Sequence, residues 1–553
     1  MLRNYVLIAW RNLKKNKVFS LINILGLTIG ITVCMLIFLY VGNEFGVDKF
    51  HVNGENIYRV MRGIDRNGST AWVPFVSPPY APALENDFRG MVKTAMRVKP
   101  ENDLFVYGNK SFNETRVYYT DAGFFSFFSF PLLKGDPATV LKDPNSVVLT
   151  ETTAKKYFGS QDPLGKVIEM DRHKLLKVTG IAKDAPSNSH LVFDIIVPIA
   201  GYADRKWYEN WPANSMYTYV LLNQSADKNK LAGMFPQFMQ KYLGERMKKT
   251  HSKLLLSLTP LKDIYFEASA FPSENARHGD KKVVYIFLSI AALILLIACI
   301  NFMNLSTVRA VERSREVGLR KVLGALRRQL AWQFIGESFL LVIISTALAV
   351  GLAVLLLPVY NQLLGYSLTV SWNTRPMYLF LAGVIIVAGL LAGGYPALVL
   401  SGFSPIESLR GKLRLGAGGA LFRQVLVVMQ FGISVFLIIG TIVIMRQMRY
   451  VKSRELGFNK EQTLVVKLDN VTISKKRNAF KSELQAGAGV ESVCLVSGEP
   501  GGYHDSHGFL VEGNPEDKPI KLRTEFADIE FVKTLGLKII AGRDFSPAYA
   551  TDT

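Results

Sequence analysis

Cysteine is scarce in this chain: there are three among 553 residues. Cys34 and Cys299 fall inside apolar runs and Cys494 stands alone, so no intrachain disulfide framework is indicated. Signatures of catalysis are missing too. His504 and His507 lie three apart, but neither an HExxH pattern nor a neighbouring set of cysteines and carboxylates accompanies them, so a glycine-rich surface loop is the simpler reading. No G-x-S-x-G elbow occurs. The segment Gly159 to Val167, GSQDPLGKV, imitates a phosphate-binding loop but has five residues between its glycines instead of four. It also carries Val167 where a hydroxyl must meet magnesium, which excludes the nucleotide role. Neither a metal nor a cofactor is expected, and no catalytic residue is assigned.

Acidic charge is thin, 45 Asp and Glu against 65 Lys and Arg, for a net charge of +20. An excess of that size can mean nucleic acid, so its location decides the matter. Five runs hold no Lys, Arg, Asp or Glu: Val18 to Val41, Val284 to Met303, Phe339 to Leu357, Met377 to Leu400 and Val425 to Met445. Each is long enough to cross a hydrocarbon layer of roughly 30 Å at about 1.5 Å per residue. The segments before the first run, between the second and third, and between the fourth and fifth carry +5, +4 and +3, which is 12 of the +20. If the chain alternates across a membrane, all three fall on one side, and the positive-inside rule makes that side the cytoplasm. Lipid, not nucleic acid, is the partner this distribution implies. Arg446, Arg449, Lys452 and Arg454 follow the fifth run on the opposite side and run against the pattern.

The first run is longer than a secretory signal core and lacks a small-x-small cleavage site, so it reads as an uncleaved anchor with residues 1–17 in the cytoplasm. The expected organisation is a first span at 18–41, an outer α+β domain at 42–283, a span at 284–303 and a cytoplasmic loop at 304–338. Spans at 339–357 and 377–400 follow, with an outer loop at 358–376 between them. A cytoplasmic linker at 401–424, a fifth span at 425–445 and a further outer segment at 446–553 complete the chain. Within 42–283 the β-rich stretches are Ile57 to Ile64, Ser146 to Thr150, Leu175 to Ala182, Leu191 to Ile199 and Met216 to Leu222. Glu151 to Phe158 and Leu231 to Leu243 have helical spacing. The aromatic stripe Phe124 to Phe130 is read as core packing of this domain.

An internal repeat adds to this plan. Asp121 to Asp136 aligns without a gap to Asp528 to Arg543 at an offset of 407, pairing Phe124 with Phe531 and Gly135 with Gly542. A full second unit would need about 250 further residues with three more spans, so the chain reads as truncated in its second repeat. Two small-residue pairs, Gly26 with Gly30 and Gly389 with Gly393, let helices approach closely, and the first pair is a candidate dimer seam.

The run Cys299 to Ala325 carries the most information. An apolar helix passes straight into a charge-paired segment in which Glu316 precedes Arg320 by four positions and Glu312 precedes Arg315 by three. Apolar positions persist among these charges and call for a partner surface. ERSREVGLRKVLGA (Glu312 to Ala325), following IACINFMN (Ile297 to Asn304), resembles the cytoplasmic loop of the MacB/FtsX-like family of ABC transporter permeases. Trp10 to Gly30, Ser146 to Ile168, Val178 to Asp194 and Gly393 to Gly411 agree with it in order, so the resemblance covers nearly the whole chain.

The resemblance implies a permease subunit of the bacterial inner membrane whose loop docks, as a coupling helix, into a separate cytoplasmic ATPase. It makes Glu316, Val317, Gly318, Arg320, Lys321, Gly324 and Ala325 the candidate docking positions. It also implies mechanotransmission, with ATP-driven motion relayed to the outer domain, on a lipoprotein, peptide or amphipathic drug. Asn23, Asn301 and Gln430 are the few strongly polar groups in the spans, a scarcity that fits force transfer better than a hydrophilic conduit. A second docking site would come from a homodimer or a second permease half. Two alternatives stay open: a regulatory protein that activates an outer-face partner such as a cell-wall hydrolase, and an ATPase-independent receptor.

Overall fold

A computed structural model describes residues 17–66, 69–202, 205–212, 214–250, 252–267, 276–312, 314–370, 372, 374–402, 417–468, 471–498, 505–509, 511–512, 520–549 and 552. The chain divides into a helical unit, residues 1–46 with 280–453, and an α+β unit, residues 47–279 with 454–553.

In chain order the elements begin with α1 (Lys17–Phe45), β1 (Ile57–Arg66), β2 (Ser69–Val73), α2 (Tyr80–Asp87), β3 (Val92–Tyr107), β4 (Lys110–Thr120) and α3 (Phe124–Phe127). Next come β5 (Leu132–Lys134), β6 (Ser146–Thr150), α4 (Glu151–Phe158), β7 (Val167–Met170), β8 (Lys174–Ala182), β9 (Ile195–Pro198) and α5 (Arg205–Tyr208). The α+β portion continues through β10 (Tyr217–Leu222), α6 (Lys228–Lys249), β11 (Lys253–Pro260) and α7 (Leu261–Glu267). Then follow α8 (Lys281–Glu312), α9 (Ser314–Val322), α10 (Arg327–Leu364), α11 (Arg375–Gly402) and α12 (Ala417–Ser453). The last elements are α13 (Val471–Lys475), α14 (Arg477–Gln485), β12 (Asp505–Phe509), β13 (Ile520–Thr524) and α15 (Phe531–Leu535).

In the helical unit, α1, α8, α10, α11 and α12 contain the five apolar runs and are each long and apolar enough to cross a membrane. With 28 residues, α11 is the shortest of them. At about 1.5 Å per residue it still exceeds a hydrocarbon layer of roughly 30 Å. A buried cluster of Leu27, Ile31, Ala298, Cys299, Phe302, Leu341, Val342, Ala349, Val384, Ala388 and Ala392 joins α1, α8, α10 and α11. Side-chain oxygens tie α1 to α10: Thr28 Oγ1 donates to Ser345 O at 3.4 Å, Thr32 Oγ1 to Ala349 O at 3.4 Å, and Ser345 Oγ to Ile24 O at 3.3 Å. Helix α12 meets the others through Leu426, packed with Ile300 and Met303, and through Phe422, whose ring lies 4.3 Å from that of Tyr395.

The α+β unit is built on a mixed sheet in the order β11-β1-β10-β3-β4-β9-β6-β8-β5, with β2 on β1 and β7 bridging β3 and β8. The β4–β9 and β6–β8 pairs are parallel and the others antiparallel. Helix α4 starts where Thr150 Oγ1 accepts the N–H of Thr153, with Glu151 in its first turn and Lys155 and Lys156 in its last, complementing the helix dipole at both ends. The stretch Leu191 to Ile199 contributes only Ile195–Pro198 to the sheet. Its earlier residues Leu191 and Phe193 go into the core instead. There Phe124, Phe125, Phe127, Phe128 and Phe130 are all buried, so the aromatic stripe is core.

Asp121 closes β4 with its carboxylate accepting the backbone N–H of Arg97 at 2.8 Å while pairing with the Arg97 guanidinium. Near the chain's far end, Asp528 accepts the N–H of Leu495 at 2.9 Å and pairs with Lys481 at 2.7 Å. Each aspartate also precedes a one-turn helix: Phe124 N–H donates to Asp121 O and Phe531 N–H to Asp528 O. Gly135 and Gly542 share positive φ, +102° and +86°.

Candidate functional site

Helix α9 lies between α8 and α10, and its termination is written in its sequence. The N–H of Ala325 donates to Arg320 O and that of Gly324 to Lys321 O, the paired bonds of a Schellman cap. Gly324 takes φ +93°, which a residue with a Cβ rarely adopts. Gln329 Oε1 then accepts the N–H of Leu326 at 3.1 Å and starts α10. Gly324 is therefore a structural stop.

The other predicted docking positions divide by direction. Val317 is 1% exposed and packs with Leu330, Phe334 and Ala397, and Ala325 lies against the same cluster. Gly318 is buried. Arg320 pairs with Glu316 at 2.7 Å, the i to i+4 bridge its spacing implies, and donates to Gln333 Oε1 at 3.0 Å. Lys321 Nζ donates to Ser401 O at 2.7 Å, and Arg327 Nε reaches Ser401 Oγ at 3.4 Å. Burial, with the like charge of Arg327 nearby, holds the Lys321 ammonium below its ordinary range. Val317, Gly318, Arg320 and Lys321 thus fasten the loop to its own bundle, with Arg320 and Lys321 half-buried. The side chains of Glu312 and Arg315 lie outside the described residues.

What faces outward instead is apolar. Leu319, Val322, Leu323 and Leu326 are 55%, 60%, 78% and 65% exposed, at spacings of i, i+3, i+4 and i+7. Leu319 and Val322 lie on one face of α9, and Leu323 and Leu326 extend it into the turn. Glu316, Arg327 and Arg328 are exposed around the stripe. The sequence signal for this face was its helical period, hidden behind the more conspicuous charges.

The small-residue pairs have partners within the chain. A Cβ at Gly30 would lie 2.9 Å from Ala298 Cβ, and one at Gly26 would lie 3.5 Å from Asn301 Nδ2, so both glycines face α8. Gly389 and Gly393 face Phe339 and Ser338 of α10 in the same way. Both small-residue pairs thus serve close helix packing within the chain. GSQDPLGKV runs from the end of α4 toward β7, helix to strand, the reverse of a phosphate-binding loop, with Gly159 N–H capping Lys155 O. His507 sits on β12 with Nδ1 2.8 Å from Thr524 Oγ1, and His504 lies outside the described residues. No cluster of three or more metal-binding side chains occurs among the described residues.

Five apolar helices with a large α+β unit between the first and second define a polytopic α-helical membrane protein with a large extracytoplasmic domain. The family profile of the MacB-like periplasmic core domain matches residues 20–235, and that of the FtsX-like permease C-terminal region matches residues 288–405. The chain is 25% identical over 414 residues to the macrolide export ATP-binding/permease protein MacB of Wolinella succinogenes, covering 72% of this chain and 60% of that protein. It is 25% identical over 427 residues to the uncharacterized ABC transporter permease YvrN of Bacillus subtilis, covering 73% of this chain and 99% of that protein. Among solved structures, the periplasmic region of MacB from Actinobacillus actinomycetemcomitans aligns at 16% identity with a TM-score of 0.29, over 40% of this chain and 95% of that one. The chain belongs to the MacB/FtsX-like family of ABC transporter permeases and is a multi-pass protein of the bacterial inner membrane. The chain spans about 60% of the length of the Wolinella protein.

Proposed function

We propose that this chain couples ATP hydrolysis on a separate ATPase subunit to a change of shape in its extracytoplasmic domain, with α9 as the coupling helix. The observation that carries the reading is the outward stripe of Leu319, Val322, Leu323 and Leu326 on a loop otherwise fastened to its own bundle. Exposed leucines at helical spacing outside the spans cost free energy unless covered, about 25 cal/mol per Å2 of apolar surface left in water. A partner groove that is apolar at its floor and acidic at its rim fits both the leucines and the neighbouring Arg327 and Arg328. In this reading the amino terminus is cytoplasmic, because the three basic segments share a side with α9.

Lys321 and Arg320 act as the inner half of the device. They tie α9 to α10 and α11, so that motion of a docked ATPase reaches the spans and is not lost in a loose loop. Helix α1 takes up that motion through its packing on α8 at Gly30 and its hydrogen bonds to α10. Residues 446–553 are read as belonging to a second outer repeat, which the matched environments of Asp121 and Asp528 support. The cargo class is a lipoprotein, peptide or amphipathic drug moved or released on the outer face.

A photocrosslinking amino acid at Leu323 tests the docking face in living cells. The expected product is a covalent adduct with an ABC ATPase, and none from the same probe at Val317. Adducts with an ATPase from Val317 and none from Leu323 would overturn the assignment.

A further inference from the structure

The chain comes into the α+β unit at Val47 and leaves it at Gly279, and both crossings are fastened to one segment, residues 186–191, of which Ser189, His190 and Leu191 are buried. Asp48 is the hub on the incoming side. Its backbone is left-handed, φ +60°, a conformation that aspartate tolerates better than most residues. Its N–H donates to Asn188 O at 2.8 Å. Its carboxylate accepts the His190 N–H at 3.1 Å through Oδ1 and contacts His190 Nδ1 at 2.7 Å through Oδ2.

On the outgoing side, Arg277 N–H donates to His190 O at 3.0 Å and Gly279 N–H to Tyr265 O at 3.0 Å. A Cβ at Gly279 would overlap the Tyr265 ring, so this close approach requires glycine. His190 thus touches both crossings, through its ring and N–H on one side and its carbonyl on the other.

The same imidazole reaches the sheet. His190 Nε2 lies 2.9 Å from Tyr219 OH, and Tyr219 stands in β10, paired with Arg59 of β1 and Met96 of β3. Because the Asp48 carboxylate can only accept, Nδ1 is the donor of that bond. Asp48, His190 and Tyr219 are all buried. In that setting water does not compete for these bonds, and each one counts for more than it would at the surface. None of the three residues is near another in sequence, and none belongs to the docking loop.

We propose that Asp48, His190 and Tyr219 form a latch that makes the incoming crossing, the outgoing crossing and the middle of the sheet open and close as one unit. The inference rests on the reading of the chain as a transmitter of motion, and it assigns these residues a positioning role. Displacement arriving at either crossing is then shared with β10 and its neighbours. Without the latch, the two crossings move independently and the strands stay still.

Hydrogen exchange read by mass spectrometry on the full-length chain in lipid nanodiscs tests this, with no ATPase added. In the wild type, amides of residues 47–52, 186–191 and 276–280 are expected to exchange with one free energy and one denaturant dependence, as a cooperative unit does. Asp48→Asn should speed exchange in all three segments together by tenfold or more while β6 and β9 keep their protection. Should Asp48→Asn fail to fold, Tyr219→Phe removes one hydroxyl and keeps the ring, and is expected to produce a smaller rise, about threefold, in the same three segments. A rise confined to residues 47–52, different denaturant dependences in the wild type, or equal loss of protection in β6 and β9 would overturn the latch. Since the ATPase is absent, such a failure leaves the docking assignment standing, and loss of ATPase docking leaves the latch standing.

Discussion

His51 should make the outer domain lose stability in mild acid. Its ring lies between those of Phe50, Phe128 and Phe130, with Nδ1 accepting the Ser129 N–H at 3.1 Å and Nε2 3.8 Å from Asp48 Oδ1. Burial pulls its pKa down from 6.5 to about 4, against the pull of Asp48 upward and with His190 lowering it further. The folded ring therefore binds a proton less readily than the unfolded one. The unfolded state takes up the extra proton, so stability is full above the ordinary histidine range, falls as pH drops below about 6.5, and levels off below about 4. At about 1.4 kcal/mol for each pH decade, the interval corresponds to a loss of roughly 3 kcal/mol. Urea midpoints of the full-length chain in detergent, followed by tryptophan fluorescence between pH 7.5 and pH 4, give the curve. His51→Gln keeps an acceptor for Ser129 but does not titrate. His278, also pushed down to about 4 by burial and by Arg59 and His190, gives the same background in both proteins. The difference between wild type and His51→Gln should shift by roughly 3 kcal/mol across this range, and a difference that stays flat with pH would refute the reasoning.

Gly30→Leu should separate α1 from α8, because its Cβ would already lie 2.9 Å from Ala298. A loss of about 1–3 kcal/mol is expected in detergent unfolding, while Gly42→Leu on the same helix, with open space around it, changes little. Lys321→Met should free α9 from Ser401 O, seen as faster proteolysis at the turn of residues 323–326 with the α+β unit intact.

The apolar runs were legible because nothing but a membrane-crossing helix takes so many uncharged residues in sequence, and the helices extend beyond them because their ends are amphipathic. Helix α4 was legible from Thr150 and the periodicity behind it. Strands β3 and β4 were not. Pro100, Glu101, Asn102 and Asp103 interrupt the β3 pattern, and the pairing shifts register between Glu101 and Asp103, so a long hairpin looks like a polar loop in sequence. Small-residue spacing identified Gly26 and Gly30 as close-packing sites but carries no information on whether the neighbouring helix belongs to the same chain. The charges of this loop are the conspicuous feature in sequence, but the long side chains of Arg320 and Lys321 fold back, while Leu319, Val322, Leu323 and Leu326 around them face out. Asp48 and His190 are 142 positions apart, and no local pattern connects them.

The central claim is that an ATPase grips the apolar face of α9. Replacing Leu319 and Leu323 together by aspartate puts two charges on that face without touching Val317, Arg320 or Lys321. The measurement is the amount of ABC ATPase that co-purifies with the full-length chain from lipid nanodiscs, wild type against Leu319→Asp/Leu323→Asp. The account expects the ATPase to be lost at least tenfold while the outer domain keeps its urea midpoint. An undiminished ATPase yield from a folded double variant would contradict it.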